Sequence, residues 1–207
     1  MWFDADFTFT DHVSNVCRNS FLQLRDLRRI RKYLSVEQTI LVVNALVSSG
    51  LDYCNSLFRS LSCTNLSRLQ CIQNTLARIV TNHWRFTRAS PILKSLHWLP
   101  VKYRSMFKVA TFVYKFLTYN HPCYFSSSFV PYNCNYNTRR SRTDKKFLIT
   151  PQYNPPEHRS KKQFNYTLAF DAAAIWNNLP ENIRTAPSCT SFRKRLKSHF
   201  FDMAFPP

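Results

Sequence analysis

Gly50 is the only glycine in this chain of 207 residues, and that scarcity limits what the backbone can do. Glycine makes up about 7% of an average sequence, because it alone takes positive φ without a steric penalty. Phosphate-cradling loops, dinucleotide-binding turns and the nucleophile elbow all need it where backbone approaches ligand. None of them can be built here in the usual form. Two-residue hairpins are disfavoured for the same reason, which argues against an all-β barrel. Helices joined by Pro, Ser and Asn turns are the expected alternative. A hydrophobic content of 44%, with 18 Phe, supplies core for one or two domains and excludes a disordered chain.

The hydrophobic pattern supports helices and divides the chain into segments. Residues 1–10 contain "DADFTF", which alternates as a short strand ending near Thr10. From Asp11 the period changes: Val13, Val16, Cys17, Leu24, Leu27 and Leu34 share one face at about 100° per residue. Arg18, Arg25, Arg28, Arg29 and Lys32 gather on a neighbouring face. Ser35-Val36-Glu37-Gln38 reads as a capping box opening a second helix, with Gly50 as its expected terminator. A third helix repeats Leu66, Leu69, Ile72, Leu76 and Ile79, so that 11–82 forms a small bundle.

Residues 83–131 are a basic amphipathic helical region. Ser90-Pro91 opens a short helix, "HWLP" breaks it, and Pro100 starts a longer one reaching about Thr118. There Tyr103, Met106, Phe107, Ala110, Val113, Tyr114 and Leu117 make one face, opposite Arg104, Lys108, Thr111 and Lys115. Residues 132–163 form a basic, Pro-broken loop in which "KFLIT" is the best strand candidate. Residues 164–207 hold carboxyl-terminal helices. One runs through "LAFDAAAIWNNL" to Pro180; in the other, capped by Ser188, Phe192, Leu196 and Phe200 alternate with Arg193, Lys194, Arg195 and Lys197. The fold class is mainly α: a small helical bundle followed by a basic helical region with a few short strands.

The formal net charge is +18, and it is unevenly spread. Residues 1–57 carry six basic and six acidic side chains, whereas no Asp or Glu occurs between Asp52 and Asp144. Folded surfaces normally mix signs, because like charges repel in the compact state. A field this one-sided points to a polyanion partner, most simply nucleic acid. The candidate phosphate contacts are Arg25, Arg28, Arg29 and Lys32; Lys102, Arg104, Lys108 and Lys115; Arg139, Arg140, Arg142, Lys145 and Lys146; and Arg193, Lys194, Arg195 and Lys197. The run "RRSRTDKK" at 139–146 also suits a nuclear-import signal.

Enzymatic chemistry finds little support. Asp4 and Asp6 would share a strand face and could approach a metal, yet acids at a strand end beside a helix start also suit the helix dipole. Ser105 and Lys108 match S-x-x-K without the accompanying K-T-G. His97 beside Trp98 suits a packed helix junction. Cys54 lacks a thiol-protease signature, and the seven cysteines include no C-x-x-C pair and no zinc-finger spacing. Reduced, buried thiols are expected. No catalytic residue, cofactor, metal or small-molecule substrate is therefore expected. The amino terminus does not read as a signal peptide, and no apolar run approaches the roughly 20 residues that span a bilayer. The expected location is intracellular, in nucleus or cytoplasm, with no membrane partner.

Several strings occur together and in order: "LDYCNSL" (51–57), "RLQCIQNTLARIV" (68–80), "SPILKSLHWLPVKYR" (90–104), "AFDAAAIWNNLPENIR" (169–184) and "SFRKRLKSHFF" (191–201). In this order they resemble the tail of reverse transcriptases from jockey-like and chicken-repeat-like non-LTR retrotransposons. "FDADFTFTDHVSNVCRNSFLQLRDLRRIRKYL" is similar to the segment that follows the polymerase palm in those proteins. The resemblance covers nearly the whole chain. It implies the end of a palm-like strand segment at 1–10, a helical thumb over 11–82, and a nucleic-acid-contacting region beyond. It also implies a truncated copy or partial gene product, because endonuclease and palm domains precede these segments in such elements. The palm's aromatic-x-Asp-Asp motif is absent, and no two acids are adjacent anywhere. Gly50 stands where the family usually has a basic residue. The resemblance thus implies a non-catalytic fragment of an RNA-directed DNA polymerase that contacts RNA or DNA electrostatically. A host-adopted helical protein-interaction module and a non-functional copy are the alternatives.

Overall fold

The computed structural model describes residues 8–121, 123–126, 128–132, 147–151 and 168–206. These residues are mainly helical and divide into two compact units: Met1–Ser105 with Phe201–Pro207, and Met106–Phe200.

In the first unit α1 spans Thr10–Ile30 and buries Val13, Cys17, Leu24 and Leu27, as its periodicity requires. The strand expected at 1–10 falls largely outside the described residues. Thr8 and Phe9, which are described, are not extended into a strand, and Phe9 is left-handed with φ 54°. The capping box at Ser35 is present: Gln38 N–H donates to Ser35 Oγ at 3.2 Å, and Ser35 N–H donates to Gln38 Oε1 at 2.9 Å. It opens α2, Val36–Val43, which continues through a π-helical stretch at Asn44–Ser48 into α3, Ser49–Asp52. Helix α4, Cys63–Val80, starts at the N-cap Ser62, and α5 covers Ala89–Ser95. Ser90 is therefore inside α5, and Arg88 occupies the cap position expected for it.

These helices enclose a core of Val13, Leu24, Val43, Leu51, Phe58, Leu69, Ile72, Leu76 and Val80, among others. Around it, Ala77, Ile92, Leu93 and Phe205 form a smaller apolar cluster that includes Trp98. Gln73 is fully buried, and its amide donates to Leu99 O at 2.8 Å, so the polar group is not orphaned.

Gly50 does not terminate its helix. It lies within α3, and the chain turns left-handed only at Cys54, φ 54°. Among the described residues the other left-handed positions are Phe9, Asn82, His97 and Asn120. Asn82 closes α4 as a Schellman motif: His83 N–H donates to Arg78 O at 2.9 Å, and Asn82 N–H donates to Ile79 O at 3.2 Å. His97 closes α5 in the same way, with Trp98 N–H on Leu93 O at 3.0 Å. Non-glycine residues thus hold the positions that glycine usually holds, while the one glycine stands where alanine would be better. Nothing lies within 4 Å of a Cβ placed on Gly50. Gly50→Ala is expected to raise stability by about 0.5–1 kcal/mol, through the lost entropy of the unfolded chain. Asn82→Ala is expected to lower it by about 1 kcal/mol, because alanine at positive φ crowds its own carbonyl. Opposite shifts of the urea midpoint at unchanged m would establish both signs.

His12 is buried beside the Phe58 ring, with centroids 6.2 Å apart, and its Nε2 has no hydrogen-bond partner. Burial pushes its pKa below the ordinary value of 6.5. The unfolded chain therefore takes up this proton at higher pH than the folded one. The stability linked to neutral His12 is complete above about pH 6.5 and is lost as pH falls through the lower folded value. The urea midpoint should drop between pH 7.5 and pH 5.5, and His12→Leu should shrink that drop. An equal drop in both proteins would show that His12 is not the group responsible.

The second unit contains the longer part of α6, Val101–Tyr119, with α7, Leu168–Asn177, α8, Glu181–Arg184, and most of α9, Cys189–Ala204. Among its described residues the fully buried large side chains include Tyr114, Trp176, Phe192, Leu196 and Phe200, together with Phe129. The Tyr114 ring stacks on Phe192 at 4.2 Å and 18°, and its hydroxyl donates to Ala186 O at 2.8 Å. Among the described residues the expected short strands reduce to one antiparallel bridge, Pro131 with Leu148. The Asn177 amide completes that edge, donating to Leu148 O at 2.9 Å and accepting from Leu148 N–H at 3.0 Å. Thr111, expected on the charged face of α6, is buried, and its hydroxyl donates to Phe107 O at 2.7 Å.

Candidate nucleic-acid interface

The basic residues at the end of α1 remain on the surface: Arg25, Arg28, Arg29 and Lys32 are all exposed. Arg25 and Arg29 lie 3.7 and 3.8 Å from Asp26, but both pairs are well over half exposed and bind weakly in water. Arg31 behaves differently. Its guanidinium donates to Leu34 O at 2.7 Å, Val80 O at 2.9 Å and Ile79 O at 3.1 Å. Two of those carbonyls belong to the last turn of α4, where unpaired C=O groups concentrate negative potential. Arg31 therefore ties the end of α1 to the end of α4.

That tie creates a cleft of about 430 Å³ lined by Arg28, Arg31, Lys32, Arg78, Asn82 and His83, with Ile79. No carboxylate lines it. Arg78 enters from α4 and is held by its Nε donating to Thr87 O at 2.8 Å. Neither Arg31 nor Arg78 stands out by local sequence. The apolar repeat of α4 placed Ile79 in the core, and Arg78 beside it could have been found only by knowing which helix ends meet.

The α6 residues separate into two kinds. Lys102, Lys108 and Lys115 are exposed, with the Lys108 ammonium 5.5 Å from the Phe112 ring. Arg104 does not belong with them. It forms a two-point ion pair with Asp52, Nε to Oδ1 at 2.9 Å and Nη2 to Oδ2, and Asn55 donates to the same carboxylate at 3.1 Å. Its charge is paired with Asp52 at a half-buried position, so the expectation that it lines a free stripe is corrected.

In the second unit Arg193, Lys194, Arg195 and Lys197 are exposed along α9. The Arg193 guanidinium lies 6.0 Å from the Phe107 ring of α6, which brings it to the helix that carries Lys108 and Lys115. Arg195 Nη1 donates to Asn182 O at 2.6 Å, holding α9 to α8. Arg139, Arg140, Arg142, Lys145 and Lys146 lie outside the described residues, as do Asp4 and Asp6.

The thiols are less uniformly buried than their sequence context implied. Cys17 is buried, and burial pushes its pKa up, whereas Cys63, Cys71 and Cys123 are exposed. Among the described residues no three His, Cys, Asp or Glu side chains gather as a metal site. No described helix is long and apolar enough to cross a membrane.

Fold and surface together define a mainly helical protein whose first unit carries a cleft lined by Arg28, Arg31, Lys32 and Arg78 with no carboxylate among them. No protein-family model, no curated protein and no solved structure matches the chain.

Proposed function

We propose that this chain is the thumb and post-thumb part of a non-LTR retrotransposon reverse transcriptase, and that it binds RNA, DNA or their hybrid through the phosphate backbone. The observation that carries the binding is the cleft at the joined ends of α1 and α4, where Arg28, Arg31, Lys32, Arg78 and His83 meet with no carboxylate among them. Such a field attracts any polyphosphate chain and discriminates little between sequences. Arg31 sets the cleft's shape, and Arg28 and Lys32 offer free donors at its rim. The chain supplies no paired Asp for two-metal nucleotidyl transfer. It acts inside the cell, in the nucleus or the cytoplasm.

The test is fluorescence anisotropy of labelled RNA and DNA oligonucleotides across a salt series, with primer extension in Mg²⁺ or Mn²⁺ alongside. Salt-dependent binding without nucleotide incorporation supports the reading. Template-dependent incorporation would contradict its non-catalytic part. One observation favours the interaction-module alternative: Leu41 and Leu46 stand 69% and 50% exposed on the α2–α3 helix. Under that reading, Leu41→Lys with Leu46→Lys would abolish partner binding and leave the salt response unchanged.

A further inference from the structure

The loop between α4 and α5 reads "TNHWRFTR" from Thr81 to Arg88, and it holds two large aromatic rings out in water. Trp84 is 70% exposed and Phe86 is 71% exposed, more than any other described apolar side chain except Tyr33. Their ring centroids lie 6.3 Å apart at an interplanar angle of 55°, and the Arg85 guanidinium sits 4.4 Å over the Phe86 ring.

The loop is pinned and does not hang free. The Schellman closure at Asn82 sets its entry, with His83 N–H on Arg78 O at 2.9 Å. Thr87 N–H donates to Trp84 O at 3.0 Å, closing a turn directly beneath the rings. Arg78 Nε holds Thr87 O from the helix side, and His83 Nδ1 meets Thr81 Oγ1 at 2.7 Å. A turn held at both ends that leaves Trp and Phe in solvent forgoes the gain of burying them. Trp84, and the face of Phe86 that Arg85 does not cover, are therefore available to a flat partner.

The chemistry beside the rings identifies that partner. Arg78 and His83, which hold the loop, also line the basic cleft with Arg28 and Lys32. Two exposed aromatic rings on a loop that Arg78 and His83 connect to a cationic groove supply what an unpaired nucleotide strand needs: stacking for the bases and cations for the phosphates. A duplex cannot use the rings, because its base faces are already stacked.

We infer that Trp84 and Phe86 form a base-stacking platform that gives the α1–α4 cleft a preference for single-stranded RNA or DNA. The inference rests on the nucleic-acid reading above and adds the form of the ligand to it.

The experiment uses the full chain with fluorescein-labelled U20, dT20 and a 20-base-pair DNA duplex, each at several salt concentrations. Trp84→Ala with Phe86→Ala should weaken binding of U20 and dT20 by about tenfold or more, since each stacked base contributes measurably. Duplex affinity should change by less than about twofold, and the salt slopes should stay those of the parent, because no phosphate contact is removed. The urea midpoint should also stay unchanged, both rings lying outside the core. Trp84→Tyr with Phe86→Tyr, which keeps two flat rings, should restore most of the strand affinity. Unchanged strand affinity in the alanine variant would overturn the platform while leaving phosphate binding intact. An equal loss on strands and duplex would overturn it as well. Absence of salt-dependent binding in the parent would remove the underlying reading and the platform together.

Discussion

Trp176→Ala is expected to destabilise the second unit by about 3–5 kcal/mol, the usual range for deleting a large aromatic from a packed interior. Trp176 is fully buried, and its ring lies 5.8 Å from Phe192 at 36°. Phe192 in turn stacks on Tyr114, whose hydroxyl is used by Ala186 O. The three rings come from α7, α9 and α6, so the cavity would open where these helices meet. Domains of this size are stable by about 5–15 kcal/mol in total, and the loss is a large part of that. Urea denaturation followed by near-ultraviolet circular dichroism reads the shift in midpoint. Tyr114→Phe should cost about 1–2 kcal/mol, because it leaves the buried Ala186 carbonyl without its donor. Phe107 looks equivalent to Tyr114 in the helical repeat, yet it is only half-buried and covered on one side by Arg193. Its truncation to alanine should cost clearly less than that of Trp176. Equal costs at the two positions would show that the core has been placed on the wrong face of α6.

Affinity for nucleic acid should fall steeply with salt. With on the order of five phosphates neutralised, log K against log salt is expected to slope at about −3.5 for single strands and −4.5 for duplex DNA. Raising salt from 50 to 200 mM would then weaken strand binding by roughly a hundredfold. Lys108→Gln with Lys115→Gln should flatten the strand slope by about 1.4, two contacts at about 0.7 each, and Arg28→Gln with Lys32→Gln should do the same. All four side chains are exposed, so the loss should be electrostatic and leave the fold intact. Arg104→Gln makes the contrast. Its guanidinium is already committed to Asp52, so the slope should remain that of the parent while stability drops by about 1–2 kcal/mol. A flat salt response in the parent protein would remove phosphate binding as the basis of its function. A slope change in Arg104→Gln as large as in the lysine pair would mean that the ion pair opens to admit nucleic acid.

Much of the helical layout was legible because its determinants are local. The repeat of Val13, Cys17, Leu24 and Leu27, the Ser35–Gln38 box and the α4 repeat each depend on side chains three or four apart, which any helix brings together. Glycine scarcity likewise pointed to helices before any contact was known. It did not say how the helices would end, and the tertiary fold placed Asn82, His97 and Asn120 in left-handed turns while keeping Gly50 inside a helix. Of the strand expected at "KFLIT", the described residues form one antiparallel bridge, Leu148 with Pro131, because the extent of β-pairing depends on a partner segment that local alternation does not specify.

The candidate interface divides along the same line. Its charge is a property of composition, evident in the acid-free stretch between Asp52 and Asp144. Which cations are free is not. Arg104 and Asp52 are 52 positions apart, and Arg31 reaches carbonyls 48 and 49 positions away. Neither distance carries any local pattern. By itself, then, the sequence determined the helices, the apolar faces and the excess of positive charge, because each arises from neighbours along the chain. Only the packing of α1 against α4 decided that Arg31 would be structural, that Arg78 would face the cleft, and that Trp84 and Phe86 would stay in water. Those outcomes depend on groups that become neighbours only after the chain has folded.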